Sequence, residues 1–225
     1  MKIIAHRGAS AERPENTLSA FERAIEIGVD AIETDLLATR DRRIVVRHDD
    51  FVEKGDKRYY VRDLTFEELQ GFNAGEGGRV PSLESVFESV RGRCPLILEL
   101  KSSGLAEFLA RFLRQHDFRQ PIHVTSFLQS EVQQFAKEFP EIERSITLSA
   151  LPDHYEALLQ DCRTKQMSLH RGFLTEKLVR KLKAEGITVR VYTVNWSKEA
   201  TLFESWGIDA IFTDDPAIMQ VFRER

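Results

Sequence analysis

Along the chain, short apolar runs rich in branched residues alternate with longer segments whose apolar positions recur every three or four residues. The first kind reads as buried strands and the second as amphipathic helices. The run Ile3-Ile4-Ala5 stops abruptly at His6-Arg7-Gly8, as a buried strand does when it delivers polar groups to a sheet edge or a barrel mouth. Leu18, Phe21, Ala24, Ile25 and Gly28 then share one helical face, with Asn16 or Thr17 suited to cap its start and Gly28 its end. From residue 82 the alternation is regular. Helices near Ser82 to Arg91, Leu105 to Gln115 and Ser130 to Glu138 precede strands at Leu96 to Lys101, Ile122 to Phe127 and Arg144 to Leu148. Helices near Asp153 to Leu159, Thr175 to Glu185 and Ser197 to Trp206 precede strands at Met167 to His170, Thr188 to Thr193 and Ala210 to Thr213, and a closing helix follows Pro216.

The second strand, Ala31 to Leu36, is apolar except for Glu33, Thr34 and Asp35. Residues two apart on a strand face the same way, so the carboxylates of Glu33 and Asp35 project together. Two like charges side by side on a buried strand are costly unless a cation lies between them; solvent-facing acids on an edge strand are the alternative. Residues 37–43 are too few for a crossover helix, so Ile44 to His48 reads as the returning arm of a hairpin that brings His48 back toward Glu33. Residues 49–81 form an insertion with a basic and aromatic cluster (Lys54, Lys57, Arg58, Tyr59, Tyr60), a capping box at Thr65 to Glu68 and a glycine turn at Gly75, Gly77 and Gly78. The cluster is either a solvated hairpin or a lid over a substrate. With the hairpin arm set aside, eight strands are each followed by a helix. The expectation is a (β/α)8 TIM barrel with a small insertion after the second strand, one domain covering 1–225.

In such a barrel the chemistry lies at the C-terminal ends of the strands. His6 and Arg7, Glu33 and Asp35, Glu99 and Lys101, Ser126, His170 and Asp214 all stand there. Glu33, Asp35 and Glu99 are hard oxygen donors of the kind that Mg²⁺ or Ca²⁺ takes, and no cysteine-histidine set with zinc spacing accompanies them. Glu99 and Lys101 repeat the two-residue spacing, which also suits a structural ion pair.

The formal net charge of -4 in 225 residues offers no general attraction to nucleic acid or anionic lipid, so an anionic substrate needs a local site. No run is long enough to span a bilayer, Met1-Lys2 passes directly into the first strand, and only Cys94 and Cys162 occur. A cytoplasmic protein with reduced thiols and no stable membrane association is expected.

The order His6-Arg7-Gly8, Pro14-Glu15-Asn16-Thr17, Glu33-Thr34-Asp35, His48-Asp49, Glu99-Leu100-Lys101 resembles the motif series of the glycerophosphodiester phosphodiesterase family. The resemblance extends to Thr193-Val194-Asn195 and Thr213-Asp214, whereas Phe51-Val52-Glu53-Lys54-Gly55 departs from the family's usual stretch after the second histidine. It implies that Glu33, Asp35 and Glu99 bind a divalent metal and that a small glycerophosphodiester is hydrolysed to glycerol 3-phosphate and an alcohol. A phosphodiester gains charge in its transition state, which calls for cations, Arg7 and Lys101, and for proton transfer at two oxygens by His6 and His48. Asn16 either orients the substrate or caps the first helix; Tyr192 either packs on the glycerol carbons or belongs to the core. A related barrel acting on phospholipids or lysophospholipids is the competing reading. It requires an exposed apolar rim, which the polar insertion does not offer.

Overall fold

The computed structural model describes residues 1–75, 78–116, 118 and 120–222, so that Gly77 of the expected glycine turn lies outside the described residues. Among them, eight parallel strands close into a barrel: β1 (Lys2–His6), β2 (Ala31–Ala38), β6 (Leu96–Leu100), β7 (Ile122–Ser126), β8 (Glu143–Leu148), β9 (Gln166–His170), β10 (Thr188–Tyr192) and β11 (Ala210–Thr213). Closure comes from β1, which pairs with β11 on one side and β2 on the other. The helices α1 (Leu18–Ile27), α3 (Leu83–Val90), α4 (Leu105–Gln115), α5 (Gln129–Glu138), α6 (Tyr155–Asp161), α7 (Glu176–Ala184) and α8 (Ser197–Trp206) link successive barrel strands. The chain ends its described course in a 3-10 turn, Ile218–Phe222.

The period of two along each strand separates two environments. One set of positions, such as Ile32, Leu36, Leu96, Leu98 and Val124, packs against α1, α3 and α4 in a first apolar cluster, while Ile146, Met167, Leu169, Val189 and Ile211 join α6, α7 and α8 in a second. The other set lines the inside of the barrel and is mixed, with Ile4, Ala31, Ile97, Ala210 and Phe212 apolar on one side. Facing them, Thr125, Ser145 and Thr147 bond to one another across β7 and β8. Burial of the outer set stabilises the barrel by about 1.5 to 3 kcal/mol per large side chain. The inner set is thereby left open to chemistry.

The segment expected as a returning arm is β3 (Ile44–Val46), antiparallel to β2 and outside the ring. The insertion is more ordered than its composition implies. It holds a two-stranded hairpin, β4 (Phe51–Lys54) with β5 (Lys57–Tyr60), a 3-10 turn at Val61–Asp63, and the short α2 (Phe66–Leu69) with the expected capping box at Thr65 and Glu68. Val52, Val61, Leu69 and Val80 meet Leu37 and Val45 in a small apolar core of their own. Gly75 is packed rather than free, since a Cβ there would lie 2.6 Å from Pro14 Cβ. Cys94 and Cys162 are both buried and not joined in a disulfide.

Candidate active site

The turn after β1 shapes the site. Arg7 and Gly8 adopt left-handed φ values of 59° and 85°. A Cβ on Gly8 would also lie 2.7 Å from the carbonyl carbon of Ala20, so the tight approach of this turn to α1 demands glycine on both counts. The turn lets Arg7 N–H donate to Glu33 Oε2 at 3.0 Å, while its guanidinium donates to Glu15 at 2.8 Å and lies 3.1 Å from Asp35 Oδ2. Lys101 closes the opposite side, with Nζ 2.9 Å from Glu99 Oε1 and 3.3 Å from Asp35 Oδ1.

Glu33, Asp35 and Glu99 are buried, and each offers a carboxylate oxygen within 4.8 Å of the others. Pairing of β2 with β6 places Asp35 directly beside Glu99 and accounts for the convergence. These are not solvent-facing acids on an edge strand. Burial, followed by the charges of Asp35 and Glu99, drives the Glu33 carboxyl well above the usual carboxylate range. Burial also raises Glu99, and Lys101 offsets only part of that. Asp35 feels the same desolvation, but Lys101, Arg7 and the Asn16 amide outweigh it and hold it low. Among the described residues Glu33 Oε1 is buried with no hydrogen-bond partner. Three converging carboxylates, one with an unsatisfied oxygen, form the donor set that a hard divalent cation satisfies, so the residues fit such an ion.

Asn16 does not cap α1; Thr17 does, accepting from Ala20 N–H. The Asn16 side chain turns to β2, donating to Asp35 Oδ2 at 2.9 Å and accepting from the Thr34 hydroxyl at 2.8 Å. It acts on the site through Asp35 and does not line the cavity. That cavity, about 430 Å³, is lined by His6, Arg7, Glu33, His48, Glu99 and Lys101 on one side and by Phe127, His170, Arg171, Tyr192 and Asn195 on the other. His6 and His48 thus open onto the same space although 42 positions separate them in the sequence. No described residue of 49–81 lines it, and the basic and aromatic cluster forms an exposed hairpin arm, Lys57–Tyr60.

Tyr192 is half-buried at the cavity wall. Its hydroxyl donates to Leu148 O at 3.1 Å while its ring forms cavity wall against Phe127 and His170. His170 Nδ1 accepts from Gly172 N–H at 3.2 Å. Ser126, by contrast, is structural, donating to Leu100 O at 2.5 Å and accepting from Leu128 N–H. Asp214 and Asn195, seen as motif residues but given no role from sequence, meet His6: Asp214 Oδ1 lies 2.6 Å from His6 Nδ1, and Asn195 Nδ2 donates to Asp214 Oδ2 at 2.7 Å. Their positions in the terminal motifs and, for Asp214, at the end of the last strand were the signals in the sequence.

A family model described as glycerophosphoryl diester phosphodiesterase matches residues 6–218, from the first histidine to the turn after β11. The chain belongs to this family. Among its relatives, a glycerophosphodiester phosphodiesterase of Caldanaerobacter subterraneus subsp. tengcongensis is 31% identical, the match covering 95% of this chain and 94% of the relative. One from Bacillus altitudinis is 33% identical over 96% of this chain and 95% of its own length. A solved phosphodiesterase of Oleispira antarctica, in complex with the product sn-glycerol-3-phosphate, superposes with a TM-score of 0.92 at 28% identity, covering 100% of this chain and 97% of that one. Of the motif residues, His6, Arg7, Glu33, His48, Glu99, Lys101 and Asn195 line the cavity. No helix among the described residues is long and apolar enough to cross a membrane.

Proposed function

We propose that the protein hydrolyses small glycerophosphodiesters to glycerol 3-phosphate and an alcohol, with a divalent cation held by Glu33, Asp35 and Glu99 and with His6 and His48 as the proton-transfer pair. The observation that carries this reading is the convergence of three buried carboxylates, one with an unpartnered oxygen, beneath a cavity that two histidines share. Bound there, Mg²⁺ or Ca²⁺ supplies positive charge to the phosphoryl oxygens as a Lewis acid. Arg7 and Lys101 hold the acids in place and add cationic charge at the rim of the same cavity, where an anionic ester is drawn in despite the chain's net charge of -4. One histidine takes the proton of the attacking oxygen and the other gives a proton to the departing alcohol. Attack by water yields glycerol 3-phosphate directly, whereas attack by the glycerol 2-hydroxyl yields a cyclic phosphate that water then opens with the two histidines exchanging roles, so that one water is consumed and protons balance by either route. The Tyr192 ring forms an apolar wall suited to the glycerol carbons.

Glycerol 3-phosphate release from a panel of glycerophosphodiesters, with chelator and after restoring Mg²⁺ or Ca²⁺, tests this. Release that chelator abolishes and either ion restores is expected; undiminished turnover in chelator overturns the metal assignment. A second reading, hydrolysis of lysophospholipids, has support that the insertion could not supply. Phe127, Leu128, Phe173 and Trp196, which follow the C-terminal ends of β7, β9 and β10, are exposed. Lysophospholipids therefore belong in the same panel, where turnover exceeding that of the soluble diesters favours this alternative.

A further inference from the structure

Two motifs of the chain, Thr193-Val194-Asn195 and Thr213-Asp214, take no part in the proton transfers above, yet both converge on His6. Asp214 Oδ1 lies 2.6 Å from His6 Nδ1. An ionised carboxylate can only accept, so Nδ1 carries the hydrogen, and the neutral imidazole keeps its lone pair on Nε2, across the ring from Asp214. Asp214 is itself fixed. Asn195 Nδ2 donates to its Oδ2 at 2.7 Å, its backbone N–H donates to Asn195 Oδ1 at 2.9 Å, and Ser10 Oγ lies 3.3 Å from its Oδ1. Ser10 Oγ also lies 2.9 Å from His6 O, and Ala11 N–H donates to Asp214 O at 2.9 Å, so the turn after β1 and the loops after β10 and β11 form one bonded unit. His48 has a different arrangement. Its Nδ1 lies 2.9 Å from the carboxylate of its immediate neighbour Asp49, whose side chain is 49% exposed.

We propose that Asp214 is a positioning residue for the hydrolysis, with Asn195 as its anchor: it holds His6 as the Nδ1–H tautomer and presents the Nε2 lone pair for proton transfer. This rests on the reading of His6 as a proton-transfer group, but the tautomer can be read without turnover. In protein carrying ¹⁵N-labelled histidine, the His6 ring, assigned by comparison with H6A, is expected as Nδ1–H in wild type and as Nε2–H or a mixture in Asp214→Asn. In kinetics, D214N is expected to lower kcat by ~10² or more with KM changed by less than ~3-fold. Mg²⁺ affinity, measured by calorimetry on the folded variant, is expected to stay unchanged. If Asp214 acts only through His6, adding D214N to His6→Ala costs nothing further. An Nε2–H ring in wild type, an unchanged tautomer in D214N, or a further loss in the double variant overturns the proposal. Should D214N not fold, the wild-type tautomer together with the tautomer in Asn195→Ala decides it, the Asn195 variant being expected to loosen the Nδ1–H preference. A wild type with no phosphodiesterase activity but an Asp214-dependent Nδ1–H ring would refute the functional reading and leave the positional one standing.

Discussion

The barrel interior has two charged ends of opposite construction. At the C-terminal end, Glu33, Asp35 and Glu99 outnumber the cations Arg7 and Lys101 that touch them, and Glu33 Oε1 is left without a partner. At the N-terminal end, Arg190 donates to His123 Nε2 at 3.0 Å and to Gln166, and His123 Nε2 also meets the Ser145 hydroxyl at 2.9 Å. There the charge is cationic and its hydrogen bonds run to neighbouring side chains, beside a second cavity of about 400 Å³ lined by His123, Glu143 and Arg190. Among the described residues each end keeps a buried atom without a hydrogen-bond partner, Glu33 Oε1 at one and His123 Nδ1 at the other, but the C-terminal end also sets three buried carboxylates against one another, a like-charge cluster that a bound cation offsets.

Substitution of Asp35 should break the contrast most severely. Asp35→Ala removes a proposed ligand oxygen and the partner of Arg7, Lys101 and Asn16 together, and is expected to lower kcat/KM by ~10³ or more. Calorimetric titration with Mg²⁺ should show binding lost in the same variant; normal affinity would remove Asp35 from the ligand set. His48→Ala and His6→Ala are expected to reduce kcat by ~10² or more while metal binding persists, and near-normal turnover in either would end its assigned role. At the other end, Arg190→Met should leave kcat within ~2-fold and alter unfolding free energy by about 1 to 3 kcal/mol, as urea denaturation would measure. A collapse of activity in that folded variant would erase the distinction between the two ends.

The smallest effect expected is on pH dependence. Burial, followed by the charge of Arg190, pushes His123 down from 6.5 to about 4, against the pull of Glu143. Between those values the unfolded chain binds a proton that the folded one refuses. His123 thus favours the folded state fully above 6.5, and that contribution is lost progressively as pH falls toward about 4. Urea midpoints of His123→Gln should vary less across that interval than those of the wild type; parallel curves would show that His123 does not set the slope.

The closed barrel could be foreseen because its signal is local. Alternation of period two and period three to four, with Gly28 ending α1 and Thr65 boxing α2, is written within each segment. The pairing of Glu33 with Asp35 on one face followed from the same periodicity, as did β3 as a returning arm. The insertion was harder, since its small core joins Val52, Val61, Leu69 and Val80 to Leu37 and Val45, and none of its own segments is strongly periodic. Equally, the exposed aromatic rim is assembled from loops after three different strands, where no contiguous apolar stretch exists to be seen.

By itself, then, the order of residues determined the strand and helix succession, the side of each strand on which its acids fall, and the motifs that carry the chemistry, because backbone periodicity relates neighbours only a few positions apart. Ring closure decided the rest. That Asn16 would serve Asp35 instead of α1, that Asp214 would reach His6 from 208 positions away, and that one carboxylate oxygen would stay without a partner depend on which strands lie side by side. Such contacts arise between segments whose separation along the chain says nothing of their distance in space.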